Sequence, residues 1–166
     1  SRSYRKWIET EIKTNKPFRN IRVIFRKVPL IKGKRGSQIM ANIARKHVLA
    51  LDKQVDVFLS PNDQLGVQKY FAEVVFKTAT KPLIGLGSRD VKKKWGATAV
   101  IYPSHRSMGI QSANMIIKLF NGTDIRNIPA EWPRMNGFAF DLKKTKKFKI
   151  RIPIKFFEIA GSYIVR

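Results

Sequence analysis

Cysteine is absent from this sequence, which excludes disulfides, thiolate nucleophiles and zinc sites built on Cys. The absence suits a reducing cytosol and an envelope protein that avoids mispairing alike, so it does not fix the compartment. Histidine is nearly absent, with only His47 and His105 present. Acidic residues are scarce, 11 Asp and Glu against 34 Lys and Arg. So few carboxylates give little material for a paired acid/base site, and nothing in the spacing of Asp56, Asp63, Asp90 and Glu131 joins them. No His-Glu-x-x-His, no Gly-x-Ser-x-Gly elbow and no Gly-Lys-Ser phosphate loop occurs. Gly85-Leu86-Gly87 follows an apolar run, but Asp90 stands where a third dinucleotide-binding glycine would. The expectation is a protein that is not an enzyme, with no catalytic residues, no metal and no cofactor. No apolar run reaches the ~18 residues that a membrane-spanning helix needs. No leader is visible at Ser1, and the chain opens inside helix-like sequence, so an excised piece is expected.

What is present is a core and a large positive charge. The hydrophobic fraction is 43%, with 11 Phe and 3 Trp among 166 residues, enough for one folded domain and too apolar for disorder. The formal net charge of +23 attracts polyanions at low salt. Lys and Arg occur in nearly every segment, with short clusters at 32–35, 92–94 and 143–147. That spread favours a solvated basic surface over a dedicated nucleic-acid arm. Trp7, Trp95 and Trp132 lie far apart and form no stacking strip.

Periodicity then sets the elements. Trp7, Ile8 and Ile12 share a helical face behind a Ser3 cap, and Pro17 ends that helix. Residues 21–28 read as a strand, with Val23 and Phe25 on alternate positions. Residues 37–51 keep the 3.6-residue period through Met40, Ile43, Ala44, His47, Val48 and Leu51, and His47 reads as a half-buried core histidine. Residues 55–59 form a short apolar strand. Ser60-Pro61-Asn62-Asp63 then has the chemistry of a helix start, with Ser60 as cap and Asp63 as capping-box acid. Residues 82–86 and 97–102 are further strands, Asp90 caps one turn between them, and Ser107 caps a helix closed by Asn121-Gly122. Residues 136–140 are strand-like, Asp141 caps a short basic helix to Lys147, and 154–159 form a last helical turn or two. Short apolar strands alternating with helices predict an α/β, three-layer, Rossmann-like domain with a mainly parallel sheet.

In such a sheet, ligands sit at the carboxyl ends of the strands. Those ends carry Ser60, Asn62, Asp63 and Gln64, then Gly85, Gly87 and Ser88, then Tyr102, Ser104 and His105. Hydroxyls, amides and helix N-termini hold a carboxylate or another polar head, and Asp63 suits an ammonium. For Ser60 and Asp63, capping alone and capping plus ligand contact both remain open. Ser104 and His105 read more simply as loop residues.

The order of segments resembles a known family. Residues 55–63, Val-Asp-Val-Phe-Leu-Ser-Pro-Asn-Asp, are similar to the strand followed by Asn-Asp in ABC-transporter substrate-binding proteins of the tryptophan/tyrosine type. Lys81-Pro82-Leu83-Ile84-Gly85 resembles their next strand. Gly96-Ala97-Thr98-Ala99-Val100, Ser107-Met108-Gly109 and Asn121-Gly122 resemble the strand, helix and turn after it. Ile128-Pro129 and Ile152-Pro153 resemble the family's connectors, and residues 138–148 its penultimate helix. The sequence departs from the pattern at Asp141, where the family has Asn, and at Lys149, where it has Gly. The family's first lobe is absent, as is a strand expected before Ser1 that would lie centrally in the sheet. The resemblance implies that residues 1–166 form a single lobe of a type I periplasmic-binding-protein fold. It implies a solute-binding component of an ABC importer, capturing a small polar, amino-acid-like ligand between hinged lobes and delivering it to an ABC permease in the periplasm or cell envelope. Ser60, Asn62, Asp63, Gln64, Gly87, Ser88, Tyr102 and Ser104 are the expected ligand-binding residues. The alternatives are a ligand-sensing domain of a signalling protein and, less favoured, a basic nucleic-acid-binding domain.

Overall fold

A computed structural model of the chain describes residues 2–60, 63–92 and 95–165. At its centre is a five-stranded sheet in the order β1-β2-β3-β4-β5: Phe58–Leu59, Leu83–Gly85, Ala99–Pro103, Asn136–Asp141 and Ile164–Val165. The first three strands are parallel, β4 runs antiparallel to β3, and β5 is parallel to β4. The helices are α1 (Arg2–Thr14), α2 (Gly36–Leu51), α3 (Lys69–Thr78), α4 (His105–Phe120), α5 (Leu142–Lys147) and α6 (Ile154–Ala160). This is the α/β, mainly parallel architecture that the alternating pattern predicts.

The two faces of the sheet follow from the period-two alternation of strand side chains. Phe58, Leu83, Val100 and Tyr102 join one cluster with Ala44, Val48 and Leu51 of α2 and Phe71, Ala72 and Val75 of α3. Ala99 and Phe140 turn to the other face and pack with Ala160 and Phe157 of α6. The result is three layers, helices–sheet–helix. A fully buried Leu83 or Phe140 contributes about 1.5–3 kcal/mol of apolar transfer free energy. Asp52, at the end of α2, locks the end of α3: its carboxylate accepts from both the amide and the hydroxyl of Thr80, each at 2.8 Å. Gly96 lets the approach to β3 press against α3, because a Cβ there would lie 1.7 Å from the Ala72 carbonyl oxygen. Gly122, at φ 82°, ends α4 as expected, and the Thr123 amide reaches back to the Lys118 carbonyl.

Several local expectations need correction. Residues 21–28 form no strand, because no neighbouring strand offers them a ladder; Ile24 and Val28 pack on the core as irregular chain. Ser60 starts no helix. Its hydroxyl donates to the Gly66 carbonyl, residues 63–67 form a turn, and α3 begins only at Lys69. Asp63 does cap, but it caps that turn, accepting from the amides of Leu65 and Gly66. The carboxylate of Asp90 reaches backward to the amides of Leu86 and Gly87 instead of capping forward. The cap of α4 is Ser104, whose hydroxyl oxygen accepts from the Ser107 amide, and Ser3 lies within the first turn of α1. The basic helix after Asp141 is as expected, with its carboxylate accepting from the amides of Lys143 and Lys144.

Lys144 is buried, 4% exposed, with Nζ 3.1 Å from Asp141 Oδ2 and donating to the Val91 carbonyl at 3.0 Å. Burial holds its ammonium below the ordinary lysine value, and Asp141 opposes the shift. A lysine with a depressed folded pKa binds its proton more readily in the unfolded chain. Its burial therefore costs stability at neutral pH, and the cost is relieved as pH rises from the folded pKa toward 10.5. Relative to a Lys144→Met variant, the native chain should gain stability over that window in urea titrations. Parallel pH profiles for the two proteins would refute this. Gly96→Ala should lower stability by about 1–3 kcal/mol or more through overpacking against α3, readable in the same denaturation midpoints.

Candidate functional site

Three parallel strands that end at the same level bring their following turns to one rim. The Ser60 amide donates to the Ile84 carbonyl at 2.9 Å and seats the end of β1 beside β2. After β2, the chain enters a tight loop and a 3-10 turn at Ser88–Val91. Asp90, only 7% exposed, organises that loop by accepting from the Leu86 and Gly87 amides at 3.1 and 3.0 Å. After β3, Ser104 caps α4 and leaves His105 exposed on its first turn.

These turns enclose a cavity of about 330 Å³, lined by Ser60, Gly66, Val67, residues 86–90 and His105. Among the described residues that line it, Arg89 supplies the guanidinium. That guanidinium stacks 5.3 Å over the Trp95 ring, lies 4.0 Å from Asp90 Oδ1 and donates to the Val67 carbonyl at 3.4 Å. Aromatic stacking holds the arginine extended while its fork keeps free donors. Ser60 is committed as a donor by its 2.6 Å bond to the Gly66 carbonyl, so it offers a ligand only acceptor lone pairs. Asp90 Oδ2 is occupied by the loop amides, and Oδ1 lies beside the Arg89 guanidinium. Arg89, Ser88 and His105 remain as polar groups facing the cavity, a set suited to a carboxylate or similar head, while the Gly87 backbone is bonded to Asp90.

The expected site residues divide. Ser60, Gly87 and Ser88 meet in this cavity. Asp63 and Gln64 instead line a neighbouring cavity of about 290 Å³ with Arg26, Val28, Leu30, Met40 and Leu65. Tyr102 lines neither, because its position on β3 turns it into the core: it is 8% exposed and 6.2 Å from the Tyr163 ring. Burial, then the nearby Tyr163, raises its pKa. Ser104 also lines neither and is occupied as the α4 cap. Asn62 lies outside the described residues. Arg89 was not legible as a site residue, although its place directly after Ser88 at a strand tip was the available signal. Among the described residues, no group of three or more His, Asp or Glu is arranged to hold a metal, and no helix is long and apolar enough to cross a membrane.

The Asp90 arrangement is testable. Asp90→Ala should cost about 1.5–3 kcal/mol, the range for hydrogen bonds to a charged group, and should deprotect the Leu86 and Gly87 amides in hydrogen exchange. Unchanged protection would show that the carboxylate does not hold the loop.

No family model matches the sequence, and no curated protein matches it. Solved structures do match the fold. A ligand-free, open substrate-binding protein with adhesive properties from Clostridium difficile aligns at TM-score 0.64 and 16% identity, over 97% of this chain and 49% of that one. An ABC domain from Streptococcus pneumoniae, solved in complex with L-Trp, aligns at 0.53 and 18%, over 76% of this chain and 43% of that one. A conserved domain protein from Vibrio cholerae aligns at 0.53 and 16%, over 76% and 42%. The chain therefore spans less than half the length of each. Its sheet and flanking helices have the α/β fold of one lobe of a substrate-binding protein of the periplasmic-binding-protein type.

Proposed function

We propose that this chain forms one wall of a solute-binding cleft that takes a small polar ligand with an anionic head, such as an amino acid. The observation that carries this reading is the cavity in which the tips of β1, β2 and β3 meet around Arg89. Arg89 would pair with the ligand's carboxylate, Ser88 would supply a neutral hydrogen bond, and Gly87 would line the cavity without donating. Ser60 would accept from a ligand N–H. Asp63 and Gln64 would extend the rim from the neighbouring turn, while Tyr102 and Ser104 would support the wall without touching the ligand. A facing wall would close over the solute, as expected of a hinged binding protein. In this reading the whole protein would serve an ABC importer in the cell envelope and pass the solute to a permease. The likeness in fold to a substrate-binding protein and to an ABC domain solved with L-Trp supports this reading.

One wall alone binds weakly, so the test needs a method sensitive at millimolar concentrations. In amide NMR titrations with a panel of L-amino acids, at least one should shift Ser60, Gly66, Gly87 and Ser88. Arg89→Ala should weaken that effect at least tenfold, and Arg89→Lys should retain part of it. If no amino acid perturbs the rim, or if Arg89→Ala leaves the titration unchanged, the reading fails.

A further inference from the structure

Two basic clusters that stand far apart in sequence meet on one side of the fold. Asp141 at the end of β4 donates its amide to the Thr98 carbonyl, just before β3 begins. The basic helix α5 therefore leaves the sheet at the N-terminal ends of the parallel strands, away from the cavity rim. The Lys144 ammonium ties α5 to the carbonyls of Val91 and Lys92 at 3.0 and 3.5 Å. The Lys147 ammonium ties it to the Phe76 carbonyl in the last turn of α3, beside Lys77, and lies 4.0 Å from the centre of the Phe76 ring. These contacts bring exposed Lys77 and Lys92 beside α5 with its exposed Lys143, Lys146 and Lys147, and the chain runs on from α5 through exposed Lys149 and Arg151.

Almost nothing on that side neutralises them. Glu73 is held by Lys77, and Asp141 is buried against Lys144. Among the described residues, Lys143, Lys146, Lys149 and Arg151 form no ion pair and donate no side-chain hydrogen bond within the chain. Holding so many unpaired cations together works against the fold, and an external polyanion would relieve the repulsion.

The details favour a surface over a strand or duplex. The segment from 143 to 151 carries lysines with one arginine, point charges in place of the planar forks that read bases. Its helix has only six residues, too short to follow a groove. The local aromatic rings are not free for stacking, since Phe76 and Phe148 pack edge-to-face at 6.2 Å with Lys147 over both. Long, exposed lysines in and after α5 suit an array of anionic headgroups.

We propose that the α5 side of this lobe docks on an anionic lipid bilayer, with the solute cavity turned away from it. The inference does not depend on the solute-binding reading.

The test is co-sedimentation of this chain with phosphatidylcholine vesicles containing or lacking 30 mol% phosphatidylglycerol, at low and at physiological salt. The native chain should bind only the anionic vesicles, and more weakly in salt. A Lys143→Gln, Lys146→Gln, Lys149→Gln, Arg151→Gln variant should bind at least tenfold more weakly. A control of equal charge change, Lys32→Gln, Lys34→Gln, Arg35→Gln, Lys46→Gln, should stay within about twofold of the native chain. All these side chains are exposed, and circular dichroism verifies that both variants fold; an unfolded α5 variant is replaced by Lys143→Gln, Lys146→Gln, for which at least a threefold loss is expected. Equal losses in the α5 variant and the control would overturn the proposal in favour of non-specific charge. So would absent vesicle binding, or tighter binding to duplex or single-stranded nucleic acid than to vesicles in the same buffer.

Discussion

Everything at the rim depends on a short parallel ladder. Three backbone bonds, from Phe58 to Pro82, from Ser60 to Ile84 and from Thr98 to Leu83, hold β1, β2 and β3 level. Parallel strands cannot be joined by a tight hairpin, so each ends in a turn that feeds a crossover. Because the strands are only two to five residues long, those turns lie close together. A slip of one residue would exchange the faces of Phe58 and Leu59, placing the buried Phe58 where the half-exposed Leu59 now stands. The burial of Phe58, Leu83 and Val100 against α2 and α3 thus fixes the register, and the register fixes the cavity.

What the sequence reveals follows how local each determinant is. The amphipathic period of α2 is self-contained, and Met40, Ala44, Val48 and Leu51 of the predicted face are buried, Ile43 and His47 are half-buried, and Gly36 and Ala41 are buried beside it. Asp141 capping α5 and Asn121-Gly122 closing α4 involve bonds over a few residues, so composition alone suffices. Residues 21–28 have strand chemistry but lack a partner, and pairing is not written in a segment's own residues. β5 at Ile164–Val165 fails for the opposite reason: two residues carry no period, yet β4 offers them an edge. Ser60-Pro61-Asn62-Asp63 is a sound helix-start motif. Here the Ser60 hydroxyl donates to the Gly66 carbonyl across a turn, and the chain makes that turn before α3 begins.

The site was legible by position more than by chemistry. Strand tips could be named from the alternation of elements, which is why Ser60, Gly87 and Ser88 meet in one cavity. Which side chains face inward depends on local twist and on competing bonds. Tyr102 has the parity of Val100 along β3 and so points into the core, while Ser104 is consumed by α4. Arg89 gains its place only because Asp90 folds the loop backward and Trp95 gives its guanidinium a platform. No spacing rule connects residues 89 and 95 before that loop exists.

The +23 charge and Arg89 in the cavity act over different ranges. The summed field of the lobe enriches any anion near it, but mobile salt screens that field over ~8 Å at physiological ionic strength. A bidentate contact between Arg89 and a carboxylate would lie partly shielded from those ions and would change much less with salt. Ionic strength therefore separates the two effects. Solute affinity that falls steeply with salt would belong to the bulk charge, and affinity that hardly moves would belong to the rim. The same separation would let a strongly basic lobe discriminate among anions if it binds a solute as proposed. The field gathers anions without discrimination, whereas the loop held by Asp90 gives Arg89 a fixed direction, and only a fixed direction distinguishes one anionic head from another.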